Sequence, residues 1–162
     1  MAIVRRARIE DAPGIHEAHM RSIREICSMD HSREEVAAWG NRPYREDHRM
    51  SAIRDHLVWV VAEGDRIYGF GHLIIHEREG EKQGHVLGLY LTPEVMAQGF
   101  GKQIFESMLT EARAAKVKKL TLESTLTAHE FYKKMGFKDS GNEMKIEIAG
   151  VGIRCIPMAM TI

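Results

Sequence analysis

The chain is short of cysteine, with two in 162 residues. Cys27 and Cys155 show neither CxxC spacing nor the clustering of a zinc ligand set. That excludes a disulfide-stapled scaffold and points to a reducing compartment. Proline is scarce as well, with four residues, and no Pro/Gly/Ser-rich linker, internal repeat or low-complexity tract divides the chain. A single domain over residues 1–162 is therefore expected. Runs of ~18 apolar residues are missing, so no membrane-spanning helix is expected and no membrane partner. The start, Met1 to Arg8, lacks the apolar core of a secretion signal, and a cytoplasmic location follows as an expectation. Excess charge of one sign is also missing. The 23 basic residues balance the 23 acidic ones, which argues against a general nucleic-acid binder.

What is abundant is apolar residue, at 44%, enough for a core. Nine histidines raise the question of a metal. His16 with His19, or His72 with His76, could share a face, but HExxH is absent and no third ligand is apparent. No metal is expected.

Periodicity along the chain places the elements. Ile3 to Ile9 has strand character. Asp11-Ala12-Pro13 reads as a helix start with Asp11 as N-cap and Pro13 in the first turn. Ile15, Ala18, Ser22, Ile23 and Ile26 follow at helical spacing. A polar stretch with Trp39, Pro43 and Tyr44 reads as short helices and loops up to His56. Leu57–Ala62 and Ile67–Ile75 form a hairpin about Gly64-Asp65. A polar turn over Glu77–Gln83 leads to a strand from His85 to Leu91. Ile104, Phe105, Met108, Leu109 and Ala112 recur on one helix face. Lys118–Glu123 reads as a strand and Ala128–Met135 as a helix stopped by Gly136. Two further strands lie between Phe137 and Met160 about a Gly150–Gly152 turn. The order β-α-α-β-β-β-α-β-α-β-β implies an α/β (α+β) fold with a mixed, mostly antiparallel sheet, since only the β-α-β-α portion demands parallel pairing.

The most informative segment runs from Leu87 to Ile104. A buried strand ends at Pro93, and Gly99-Phe100-Gly101 opens an amphipathic helix. Glycine lets backbone N–H groups approach an anion, and a helix N-terminus suits a pyrophosphate. Gln98 and Lys102 can add donors. A P-loop would need Gly-Lys-Ser/Thr, which is absent. A dinucleotide fold would need a third glycine where Ile104 stands, although Glu123 lies near the distance of that fold's ribose-binding acid.

Pro93 and Gln98-Gly99-Phe100-Gly101-Lys102, followed about thirty residues later by Ala128-His-Glu-Phe131-Tyr132-Lys-Lys-Met-Gly136-Phe137, resemble the GCN5-related N-acetyltransferase (GNAT) family. Two motifs in order and at the right separation are more specific than either alone, and the element order along nearly the whole chain is also the family's. Met96 departs from the Arg or Gln that normally opens the turn, and Thr125 stands where many members have Asn. The resemblance implies an acyltransferase that uses acetyl-CoA as cosubstrate and a primary amine of a small molecule as acceptor; the alternatives are a protein or peptide acetylase and a non-catalytic CoA-binding module. It further implies a bulge in the strand before the glycine turn, permitted by Gly88. Leu89 would then supply an N–H to the acetyl carbonyl and Leu91 would pair with the pantetheine arm. Ala97, Gln98, Gly99, Phe100, Gly101, Lys102 and Thr125 would hold the cosubstrate, with Lys133 and Lys134 as further candidates for the 3′-phosphate.

Tyr132 is the candidate acid for the departing thiolate. His85 is the candidate base, with His72, His129, Glu123 and water as rivals. The acceptor would meet the first two helices and the last strands, where Ile23, Cys27, Trp39, Tyr44, Met158 and Met160 lie. Trp39 and Tyr44 are pocket walls or loop anchors; Arg24, Glu25 and Asp30 are charged alternatives. An exposed edge on the last two strands makes a homodimer possible.

Overall fold

The computed structural model describes residues 1–162. In chain order the elements are β1 (Ile3–Arg6), α1 (Ala12–Glu25), α2 (Arg33–Trp39), α3 (Glu46–Asp55), β2 (Leu57–Glu63), β3 (Arg66–Arg78), β4 (Glu81–Leu91), α4 (Phe100–Ala114), β5 (Lys119–Ser124), α5 (His129–Met135), β6 (Lys138–Asp139), β7 (Met144–Ile148) and β8 (Val151–Thr161). The strands make one mixed sheet of eight in the order β1-β2-β3-β4-β5-β8-β6, with β7 paired to the first half of β8. Every pairing is antiparallel except β4 with β5. That exception has a simple cause: α4 carries the chain back across the sheet, so β5 runs the same way as β4.

Helices cover both faces. On β2, Trp59 and Val61 point to the face packed by Ile104, Phe105 and Met108 of α4, with Leu73, Leu120 and Met158 in the same core. Val58, Val60 and Ala62 point to the other face and pack with Ile15 and Ala18 of α1 and with Phe70. Burial on both faces explains why β2 reads as a continuous apolar run without alternation. A third group, Met20, Ile23, Cys27, Trp39 and Ile153, locks α1 and α2 onto β8. No helix is long and apolar enough to cross a membrane.

Four local expectations are corrected, the simplest being that the chain after Phe137 forms three strands, β6, β7 and β8, where two are expected. The first strand stops at Arg6, because the Asp11 carboxylate accepts from the Arg5 guanidinium at 2.7 Å and from the Arg8 N–H at 2.7 Å. These bonds wind Ile9–Asp11 into a tight turn, so Asp11 stands at the N-cap of α1 but bonds backward along the chain. The polar Glu77–Gln83 stretch is largely ladder. The turn between β3 and β4 is only Glu79-Gly80, with φ of 54° and 78°; a two-residue hairpin turn of this hand needs both residues left-handed. Likewise the last hairpin turns at Ala149-Gly150, with φ of 50° and 79°. Gly152 lies within β8 beneath Lys145, whose Cδ is 2.9 Å from where a Cβ would stand.

Candidate active site

The site begins with a fault in the sheet. His72 pairs with Gly88 and Leu73 with Val86, so Leu87 is an extra residue in β4 and the strand carries a bulge. Gly88 is required there by space: a Cβ would stand 2.8 Å from the Tyr90 ring. β4 pairs with β5 from Gln83 to Val86 and no further. Past Val86 the two strands part. The Thr92 N–H donates to Tyr68 O on the β3 side at 2.8 Å. Alternation along the strand therefore aims the N–H groups of Leu89 and Leu91 away from β3, into the gap.

The gap opens into a cleft of about 340 Å³. Leu89, Leu91, Ala97, Gly99, Phe100, Gly101, Lys102, Thr125 and Tyr132 all line it. Gln98 does not; its amide donates to Glu94 O at 3.0 Å and ties the loop together. Ala97 and Gly99 both take left-handed backbone, φ 57° and 85°. These two turns bring the chain into α4 with the first helical bond at Gln103 N–H to Gly99 O. The N–H groups of Phe100, Gly101 and Lys102 thus have no acceptor within the helix, and no acidic side chain stands in its first turn. Gly101 is needed for packing, since a Cβ would lie 3.2 Å from the Phe131 ring. The result is an anion-seeking helix end facing the cleft.

Tyr132 closes the cleft from α5. Thr125 Oγ1 accepts from the Ala128 N–H at 3.0 Å and so sets the start of that helix. Tyr132 is 4% exposed. Burial, with Cys27 nearby, pushes its phenol well above the ordinary value, so the hydroxyl keeps its proton at neutral pH. Cys27 lines the same cleft, and burial raises its thiol to about 12; it is no nucleophile near neutrality. Lys133 pairs with Glu130 at 3.7 Å, and neither Lys133 nor Lys134 lines the cleft.

A smaller cavity of about 240 Å³ adjoins the cleft and shares Leu87, Tyr90, Glu123 and Thr125 with it. His85 lines it, with Nδ1 2.7 Å from Thr121 Oγ1 and Nε2 2.9 Å from the Glu123 carboxylate. Glu123 reaches both cavities, whereas His85 reaches only the smaller of the two. The rival histidines lie elsewhere. His129 is bonded to Asp139 at 2.6 Å. His72 is 2.9 Å from His56, and burial, with His56 and Arg49 adding repulsion, lowers it to about 4. The Nδ1 atoms of His16 and His19 both accept from one nitrogen of the Arg49 guanidinium, at 3.1 and 3.0 Å. No group of three or more metal-ligating side chains comes together.

Of the residues expected on the acceptor side, Trp39 lines the smaller cavity. Ile23, on α1, is fully buried against Trp39 and Ile153. Tyr44 lies on the surface, tilted against His16 at 5.5 Å between ring centroids. Met158 is buried in the core on the α4 side, and Met160 packs at the Gly136 turn. Arg24 donates to Gly40 O at 2.7 Å, and Glu25 is held by Arg21. Sequence reasoning missed Glu35, His31 and Arg154. The buried Glu35 carboxylate accepts from the Arg154 guanidinium at 2.7 Å, the Arg154 N–H at 2.8 Å and the Ser32 N–H at 2.9 Å. His31 lies between, its Nε2 accepting from the Leu126 N–H at 3.1 Å and its Nδ1 3.2 Å from Glu35. This network joins α2, β8 and the loop before α5. Only the Ser32-x-x-Glu35 capping box was visible in the sequence.

The geometry has counterparts. The family model described as an acetyltransferase (GNAT) domain matches residues 27–162. A GCN5-related N-acetyltransferase from Rhodopseudomonas palustris is 20% identical, over 100% of this chain and 96% of that one, with a TM-score of 0.84. The PaiA N-acetyltransferase from Thermoplasma acidophilum, solved with coenzyme A, is 19% identical over 100% and 99% of the two chains, with a TM-score of 0.77. YncA from Salmonella typhimurium, solved with its cofactor acetyl-CoA, is 16% identical over 99% and 94%, with a TM-score of 0.70. No curated protein sequence matches the chain. With most of its length matched by the family model and its fold shared with these enzymes, the chain belongs to the GNAT family of acetyltransferases.

Proposed function

We propose that this enzyme transfers an acetyl group from acetyl-CoA to a primary amine of a small molecule, across the point where β4 and β5 part. The parting past Val86 is the observation that carries this reading. It leaves a strand edge with free N–H groups between an uncapped helix end on one side and a carboxylate–histidine pair on the other.

The residues fit the cosubstrate. The N–H groups of Phe100 to Lys102 suit a diphosphate, and Leu91 offers a strand edge to an extended amide-bearing arm. Acetyl-CoA supplies a carbonyl already activated as a thioester. The chain orients it, with the Leu89 N–H aimed where negative charge develops on the carbonyl oxygen. Glu123, backed by His85, faces the incoming ammonium and takes its proton, which frees the nitrogen lone pair. Tyr132 lends its phenolic proton to the departing sulfur, and recovers one from the amine nitrogen as the amide forms. One proton is released to solvent for each ammonium acetylated.

Calorimetry with acetyl-CoA, followed by thiol release over a panel of amines, tests the reading. Saturable binding and amine-dependent thiol release are expected. Folded protein that shows no heat with acetyl-CoA would remove the basis of the proposal; binding without release for any amine would leave only a CoA-binding module.

A further inference from the structure

Resting on the reading above, the class of acceptor can be narrowed from the smaller cavity. We infer that the acceptor is a monoamine on a compact apolar body, aromatic or branched aliphatic, with no carboxylate beside the amine. At about 240 Å³ the cavity lies below the ~300–1,000 Å³ of sites for drug-sized ligands. Its apolar walls are the Trp39 and Tyr90 rings, Leu87, and the side chains of Ile146, Ile148 and Ile153 from the β7–β8 hairpin, with Thr125 and His85 adding polar groups. Leu87 and Ile146 stand 50% and 41% exposed at this site, and an apolar body seated between them would remove that surface from water.

Charge decides the rest. The cavity has one carboxylate, Glu123, next to the cleft it shares with the cosubstrate. Its one permanent cation, Arg154, is already held by Glu35 at 2.7 Å. One ammonium is therefore matched and a second is not, which disfavours a polyamine. An amino-acid carboxylate would meet Glu123 with like charge and would find Arg154 committed. A peptide would need main-chain partners, and the walls offer mostly hydrocarbon.

The test compares phenethylamine, spermidine, glycine and a short peptide with a free N-terminus as acceptors, in wild type and Ile146→Lys. Phenethylamine should give a kcat/KM at least about tenfold above the other three, and Ile146→Lys should raise its KM about tenfold. The KM for acetyl-CoA and the sedimentation behaviour should stay unchanged, because Ile146 does not line the larger cleft. Equal or faster turnover of spermidine, glycine or the peptide overturns the inference, as does no turnover of phenethylamine by protein that binds acetyl-CoA. An Ile146→Lys variant that changes oligomeric state but not the phenethylamine KM overturns it too, by assigning this surface to a second copy. Loss of acetyl-CoA binding in calorimetry would instead sink the underlying reading.

Discussion

At Tyr132 a phenol is enclosed by Phe131 and Phe137, with ring centroids 5.4 and 5.7 Å away, and burial holds its proton in place. A group that donates a proton and little else has a separable signature. Tyr132→Phe keeps the ring and its packing, so acetyl-CoA affinity by calorimetry should be unchanged while kcat falls about 10²-fold, the lower end for a lost general acid. An unchanged kcat would strip the residue of that role. Glu35 poses the opposite case, a buried carboxylate whose worth is structural. Burial alone would raise its pKa, but hydrogen bonds from Arg154, Ser32 and His31 outweigh burial and hold it well below the carboxylate range. Glu35→Ala leaves these donors without their acceptor. A loss of about 3 kcal/mol is expected in urea denaturation, the low end for a broken buried pair, because Arg154 is 35% exposed and regains water. A loss under ~1 kcal/mol would mean that the network is solvated in solution.

Among elements, the β7–β8 hairpin walls the smaller cavity yet turns on a poor residue. Ala149 stands at φ 50°, where a Cβ crowds the following carbonyl. Asparagine tolerates that region and is favoured in turns of this hand. Ala149→Asn should therefore raise stability by ~0.5–1 kcal/mol, or about 1–4 °C in melting temperature for a chain of this size. A lower melting temperature would show that the turn does not keep this backbone. The same turn chemistry explains why a polar run of loop composition folds as ladder. The residues around Glu79-Gly80 have loop composition, but two left-handed residues are enough to reverse the chain, and the flanking charges simply ride on a solvated ladder. The amphipathic helix α4 is legible in the sequence, because Ile104, Phe105, Met108 and Ala112 all turn inward on one face.

For the molecule as a whole, acid is the weakness. Three histidines, His16, His19 and His72, have their pKa values lowered by burial and by the neighbouring Arg49 or histidines, His72 to about 4. An unfolded histidine takes a proton near pH 6.5; folded His72 does not until about pH 4. Between those values the unfolded chain binds more protons, so stability falls as pH drops, by roughly 3 kcal/mol from His72 alone. Glu35 acts further down: its depressed pKa gives stability above about pH 4.3 that is lost on acidification below it. Urea midpoints should decline steadily from pH 7 to 4.5, and His72→Phe should flatten that slope. A midpoint constant over this range would contradict the buried, neutral histidines.

The sequence by itself determined most of the elements and one side of the site. Hydrophobic period, glycine at a helix entrance and the spacing from Gly99 to Tyr132 are local properties, written in neighbouring residues, and they led to the cleft and to the family. The tertiary structure alone decided which distant side chains meet. It set His85 beside Glu123, sent Met158 to the far face, paired Glu35 with Arg154 119 positions away, and parted β4 from β5 one residue after Val86. Such contacts depend on strand order and on a single bulge, and a shift of one residue along a strand reverses the face of every side chain beyond it.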